Sequence, residues 1–239
     1  MSKSVRVCLG PDLLDQMTSD DPRAIASRRD IKRINAVMFQ DALMRSAIAR
    51  GEFDAPRRIL DLGGGDATFT LKVARRMKPG WRDVELVVVD RMDVVEARTL
   101  REFEQIGWKL KVVTTDVFAF LSQPGQAPFD LVLSNLFIHH FPAGELERLL
   151  ANIAGLTTGF VACEPKRSAL TVAGSAMLWA IGCTPVSVRD SVTGARAGFR
   201  DREITDAWPD RKLWELSEYD SGIFSHCFVA RRKRDTAAH

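Results

Sequence analysis

Apolar residues follow two alternating rhythms along the chain: short dense runs, and longer stretches where they return every three or four positions. Ile59, Leu60 and Leu62 make the first dense run, Leu86 to Val89 the second, Leu110 to Thr114 the third, and Leu131 to Leu133 the fourth. Gly159 to Pro165 makes a fifth. Each suits a buried strand. Between them, Leu71, Val73, Ala74 and Met77 mix with Lys72, Arg75 and Arg76 at helical spacing. Met92 to Ile106 predicts a helix stopped by Gly107, and Leu146, Leu149, Leu150 and Ile153 form the apolar face of one starting near Pro142. Strands alternating with helices predict an α/β fold built on a parallel sheet.

The two ends depart from this alternation. Residues 1–50 read as mostly helical, with Ile31, Ile34 and Met38 on one face, Ala42 further along it, and Asp21-Pro22 as a cap followed by a first-turn proline. Such an extension either packs as cover or closes over a ligand. Beyond the fifth strand, Leu170 to Ile181 predicts an apolar helix containing Met177, Leu178 and Trp179, ended by Gly182. Residues 183–202 read as a polar loop carrying Arg189, Asp190, Arg196 and Arg200, and Arg202 to Trp208 as a short helix. Leu213 to Leu216 and Ser225 to Arg231, separated by Asp220-Ser221-Gly222, predict a terminal hairpin.

Composition narrows the class only modestly. A chain of 239 residues suits one domain with a small extension, and 46% hydrophobic content is ordinary for a globular protein. No apolar run approaches the roughly 18 residues of a membrane span, and Met1 to Cys8 lacks the apolar segment of a secretory signal. A cytoplasmic location is the expectation. Cys8, Cys163, Cys183 and Cys227 are scattered without the paired spacing of a zinc site, which predicts small buried hydrophobes and no metal. A net charge of +3 permits anionic partners without requiring them. The dense run Arg231-Arg232-Lys233-Arg234 reads as a solvated tail in preference to a nucleic-acid contact.

The informative stretch is where Ile59-Leu60-Asp61-Leu62 meets Gly63-Gly64-Gly65 and restarts as a helix. Glycines let the backbone turn sharply and leave room for a ligand, and the N–H groups at the helix start would face it. An open α/β sheet builds its nucleotide or nucleoside site at such a joint. A dinucleotide fingerprint wants a small residue at the sixth position, which here is Thr68, so NAD and FAD are disfavoured. No Gly-Lys-Ser/Thr follows to make a phosphate loop. Asp90 ends the second strand close to the roughly 20-residue interval at which such sheets place a carboxylate for ribose hydroxyls.

In this order, Asp61, Gly63, Gly64, Gly65, Asp90, Asp116 and Asn135 resemble the nucleoside-binding half of the class I, Rossmann-like, S-adenosylmethionine-dependent methyltransferases, across residues 57–141. The resemblance implies a doubly wound, mostly parallel seven-stranded sheet with an antiparallel terminal hairpin strand, and S-adenosylmethionine as cofactor. It implies Asp61 near the cofactor's amino-acid moiety, Gly63 to Gly65 beneath it, Asp90 on the ribose, and Arg91 and Met92 flanking the adenine. Asp116 would face the adenine amino group with Val117 against the ring. An aspartate ahead of Phe118-Ala119-Phe120-Leu121 is equally what a short helix requires as its cap.

Asn135 is placed to orient the cofactor's amino-acid part or the acceptor. The Pro-Pro-aromatic run of amino-methylating enzymes does not follow it; the exit reads Leu136-Phe137-Ile138-His139-His140-Phe141. In an extended segment His139 and His140 point opposite ways, and His139 shares the parity of Asn135. A neutral imidazole there would take a proton from a phenol or similar hydroxyl. The alternative has one histidine packing on the sheet and the other capping the next helix. Met38, Phe39, Met177, Trp179 and the 186–200 loop would wall an acceptor pocket, with Arg189 or Arg196 meeting an acceptor anion or bracing the loop.

The division expected is a helical lid or cover over 1–50 and a methyltransferase domain over 51–235, with an acceptor-pocket insertion at about 167–202. The arrangement resembles small bacterial methyltransferases of aromatic or lipid-like secondary metabolites. That implies in-line methyl transfer to a small-molecule acceptor, without nucleic acid or a membrane span; the histidine base favours a hydroxyl while nitrogen and carbon acceptors stay open, and the sequence does not fix the oligomeric state, a homodimer being one that it allows. Two readings compete: rRNA or tRNA methylation, which the lack of aromatics interleaved with a basic stripe disfavours, and a cofactor-binding subunit without turnover.

Overall fold

The computed structural model describes residues 17–18, 20–77 and 80–234. Two helices open it, α1 (Pro22–Val37) and α2 (Gln40–Arg50). There follow β1 (Arg58–Leu62), α3 (Thr68–Arg75), β2 (Val84–Asp90), α4 (Ala97–Gln105), β3 (Trp108–Thr114), α5 (Val117–Leu121) and β4 (Leu131–Asn135). After a 3-10 turn, Ile138–His140, come α6 (Ala143–Leu156), β5 (Gly159–Pro165), α7 (Ala169–Ala176), a 3-10 turn Leu178–Ile181 where the expected helix was to run on, α8 (Pro185–Ala197), α9 (Glu203–Ala207), a 3-10 turn Arg211–Leu213, β6 (Trp214–Ser221) and β7 (Ser225–Arg232).

The seven strands lie in the order β3-β2-β1-β4-β5-β7-β6. β1 to β5 pair in parallel, and β7 runs antiparallel to both β5 and β6. Successive side chains on a strand point to opposite faces, so each strand feeds two cores. Leu60, Leu62, Val87, Val89, Val132 and Phe160 pack on one face, while Ile59, Leu86, Val88, Leu131 and Val161 pack on the other. Burial on both faces is why the strands read as continuous apolar runs. The chain reverses its direction of travel across the sheet between β1 and β4, which opens a crevice at the carboxyl ends of these strands. No helix among the described residues is long and apolar enough to cross a membrane.

Several expectations are borne out and several corrected. Asp21 caps α1, accepting from the Arg23 N–H at 2.8 Å, with Pro22 at the first turn. The helix does not run on to Ala42, because Phe39 adopts φ 53° and divides α1 from α2. Met92 to Glu96 is irregular, so the helix there starts only at Ala97. The polar stretch 183–202 is mostly the helix α8, opened by Thr184, whose hydroxyl accepts from the Ser187 N–H at 3.3 Å. Its inward face is Ser187, Gly194, Ala195 and Ala197, too small to show an apolar period.

The basic run is not a tail. Arg231 and Arg232 lie in β7, Arg231 bonds Glu215, Arg232 sits over the Trp214 ring, and Arg234 pairs with Asp54. Cys163, Cys183 and Cys227 are buried, and the Cys163 and Cys227 sulfurs face each other across β5 and β7 at 3.3 Å. Cys8, Lys78, Pro79 and residues 235–239 lie outside the described residues.

Candidate active site

A cavity of about 1470 Å³ opens over the carboxyl ends of β1, β2 and β4, with α1, α7 and α8 on its far side. Its floor is the glycine turn. Gly63 has φ 67°, its N–H donates to the Val89 carbonyl at 2.8 Å, and an added Cβ would lie 2.3 Å from the Phe137 ring. A Cβ on Gly64 would meet the Asp61 carboxylate at 2.5 Å. The turn is therefore glycine for two reasons, backbone sign at one position and clearance at the next.

Asp61 lies buried under this turn and accepts a hydrogen bond from the Thr70 hydroxyl. Burial pushes its pKa up to about 7; the Thr70 bond opposes that and the Asp90 charge adds to it. At the end of β2, Asp90 accepts from the Gly65 N–H at 2.9 Å and from the Met92 N–H at 3.0 Å, one on each oxygen. Burial raises its pKa also, against the bonds from Met92 and Gly65. Each oxygen keeps a second lone pair for a hydroxyl donor.

The structure brings Asp61, Gly63, Gly64, Gly65, Asp90, Arg91, Met92, Asp116, Val117, Asn135, His139 and His140 to the wall of this one cavity. Asp116 is also the cap of α5: one oxygen accepts from the Phe118 and Ala119 N–H groups at 2.9 and 3.3 Å, and the other lies 3.9 Å from Arg91 Nε. Met38, Phe39 and Met177 line the cavity, whereas Trp179 lies outside the lining and is 68% exposed. Arg189 and Arg196 are exposed on α8 and do not reach the cavity. Their guanidinium groups belong to the surface.

The two histidines do not alternate as an extended strand would place them. Leu136 takes φ 53° immediately after β4, and the chain enters the 3-10 turn that carries both. Their rings lie 4.1 Å apart and 36° from parallel. His139 Nδ1 is 2.7 Å from Glu164 Oε2 on β5, with both side chains buried. The other oxygen of Glu164 accepts from the Phe137 and Ile138 N–H groups, each at 3.1 Å, so the carboxylate also fixes the turn. Burial, reinforced by His139, holds the His140 imidazole well below its usual pKa and keeps it neutral near pH 7.

Glu164 escaped the sequence reading as a site residue. A carboxylate directly after the apolar run Phe160 to Cys163, still within the expected strand, is the signal that was available, since a buried charge demands partners. Asn135 donates from Nδ2 to Asn35 Oδ1 on α1 at 3.2 Å, and its own Oδ1 is buried without a partner among the described residues. Lys32, also on α1, pairs with Asp66 beyond the glycines at 2.5 Å.

A glycine floor with no room for a Cβ at Gly63 or Gly64, a ribose-type carboxylate on β2 and a buried acceptor on β4 without a partner among the described residues fit a nucleoside carrying a polar tail, the shape of S-adenosylmethionine. Sheet order and site together define the class I methyltransferase architecture. Residues 59–158 match the family described as a methyltransferase domain. By sequence, no curated protein matches the chain.

Among solved structures, an O-methyltransferase family protein from Burkholderia thailandensis is similar with 16% identity and a TM-score of 0.59, covering 91% of this chain and 64% of that one. The plantazolicin methyltransferase BpumL, solved with a triazolic desmethyl analog and S-adenosylhomocysteine, gives 11% identity and 0.63, over 90% and 93%. Mitomycin 7-O-methyltransferase MmcR gives 15% and 0.56, over 92% and 60%. The chain thus spans less than two thirds of the Burkholderia and mitomycin proteins. At these identities the likeness is one of fold.

Proposed function

We propose that the protein methylates a hydroxyl of a small, flat, largely apolar acceptor, with His139 as the general base. The observation that carries this reading is the buried Glu164–His139 contact at 2.7 Å on the wall of the cavity. When bound, S-adenosylmethionine supplies a methyl group on a sulfonium, which leaves without acid assistance. The remaining work is alignment, exclusion of water and removal of one proton. Glu164 accepts the Nδ1 proton of His139, which selects the tautomer with its lone pair on Nε2 and stabilises the imidazolium once the acceptor's proton arrives. His140, kept neutral by burial, adds no competing charge.

Gly63 to Gly65 and Asp90 would seat the nucleoside, with Arg91, Met92 and Val117 around the base. Asp116, spent largely on α5, would serve the adenine side through its second oxygen. Met38, Phe39 and Met177 would wall the acceptor. In this reading α1 and α2 form the cover expected of residues 1–50, and α7 with α8 form the acceptor-side insertion. The names of the structural neighbours, two O-methyltransferases and an enzyme acting on plantazolicin, support natural-product acceptors. Arg231, Arg232 and Arg234 each have a partner within the fold, Glu215, the Trp214 ring and Asp54, which supports the small-molecule reading over RNA.

The test is methyl transfer to a panel of phenols and hydroxylated heteroaromatics, with the rate followed against pH. His139→Gln is expected to lower the rate by about 10²-fold or more and to abolish the acidic limb of the profile. An unchanged profile would falsify the assignment of the base.

A further inference from the structure

α1 crosses the site from the side opposite the glycine turn, and one face of it touches two strand ends. Lys32 reaches Asp66 beyond β1, and Asn35, one turn further along, reaches Asn135 at the end of β4. β1 lies between β2 and β4. A nucleoside held at its ribose by Asp90 on β2 must therefore extend its other end across Gly63 toward Asn135. A side-chain amide has a donor end and an acceptor end. Asn35 engages the donor end of Asn135, and the acceptor Oδ1 is left buried without a partner among the described residues. A buried acceptor in that state is unfavourable until a donor arrives.

We infer that Asn35 is a positioning residue for the cofactor: it fixes the amide of Asn135 so that Oδ1 accepts the ammonium group of the cofactor's amino-acid end. The inference rests on the S-adenosylmethionine reading of the cavity and concerns one end of that ligand. The lid helix is then part of cofactor recognition, through a residue that need not touch the cofactor itself.

Calorimetric titration of the full chain with two ligands tests this. S-adenosylhomocysteine carries the amino-acid end; 5′-methylthioadenosine has the same nucleoside and a thioether but lacks it. Asn35→Leu is expected to weaken S-adenosylhomocysteine by about tenfold or more, the scale of one hydrogen bond to a charged group, and to leave 5′-methylthioadenosine unchanged. Added to Asn135→Leu, the same substitution has no further effect, because it acts through Asn135. Asn35→Asp keeps an acceptor opposite Asn135 Nδ2 and retains the preference for S-adenosylhomocysteine. Equal losses for both ligands, additive losses in the double variant, or an Asn35→Asp variant as impaired as Asn35→Leu each overturn the inference. If the unaltered protein binds neither ligand, the cofactor reading falls and the inference with it; an unchanged ratio of affinities in the variants overturns the inference alone.

Discussion

Asp61 and Glu164 are both buried carboxylates at the site, and they differ in how they are satisfied. Glu164 has partners on both oxygens, whereas Asp61 is met by the Thr70 hydroxyl on one oxygen, and burial pushes its pKa up to about 7. A cationic ligand near Asp61 favours the ionised form and lowers that pKa. The complex then holds fewer protons than the free protein, so affinity for S-adenosylmethionine is expected to rise from pH 6 to 8 and level off above. Calorimetry in buffers of different ionisation enthalpy checks this, because released protons change the apparent heat; Asp61→Asn should abolish the difference. Glu164→Gln keeps the volume and removes the charge that stabilises the His139 imidazolium. If His139 is the base, this variant should slow methyl transfer, which the single-turnover rate with a phenol acceptor checks. Asp61, the glycines and Asp90 were legible in the sequence because strand, turn and acid are local. Glu164 was not, since its partner arrives only when β4 and β5 pair. The parity argument for the histidines failed at Leu136, whose left-handed backbone ends the alternation.

At the scale of elements, the feature that organises the site is the fastening of α1 to α8. Asp30 is buried and accepts from the Thr184 N–H at 2.7 Å, the Ser187 hydroxyl at 2.9 Å and Arg33 at 2.9 Å, while Arg33 also donates to the Gly182 carbonyl at 3.1 Å. One carboxylate thus ties the cover helix to the helix that passes His139, where a Cβ on Gly194 would lie 3.1 Å from the imidazole. Asp30→Ala leaves the Thr184 N–H and the Ser187 hydroxyl without this partner, a loss of about 1–3 kcal/mol. The expected outcome is a lower melting temperature, with faster hydrogen exchange confined to residues 22–37 and 185–197; protection unchanged in both helices would show that the two pack without the tie. None of this was visible in sequence. Asp30 and Ser187 lie far apart along the chain, and α8 packs through small residues, so its periodicity carried no apolar signal. By contrast α6 announced itself, because Leu146, Leu149, Leu150 and Ile153 are large and regularly spaced.

Across the whole molecule, the parallel half of the sheet follows from alternating strands and helices, and the glycine turn sits where the strand order reverses. The antiparallel edge needs a different source of cohesion, because β6 is only partly covered. His226 supplies it: Nδ1 meets Asp220 at 2.8 Å and Nε2 meets Glu218 at 2.9 Å, so both ring nitrogens face carboxylates and the imidazolium form is favoured. Glu218 also accepts from the Ile204 and Thr205 N–H groups at 3.0 and 2.7 Å, which joins α9 to the same clamp. Burial opposes the charge on His226, but the Glu218 and Asp220 bonds outweigh it and raise the pKa. Burial likewise opposes ionisation of Asp220, and the Lys166 and His226 contacts override it and lower that pKa. The raised His226 value contributes stability fully below the unfolded pKa of about 6.5, and that contribution is lost as pH rises through the folded value. The lowered Asp220 value contributes fully above about 3.9 and is lost as pH falls through its folded value. Both contributions overlap between these limits, so the melting temperature should decline on the alkaline side, above pH 6.5. In His226→Gln the neutral amide cannot carry the charge, and this alkaline decline should flatten; a decline of undiminished slope in that variant would mean that the clamp does not set the pH dependence of the edge.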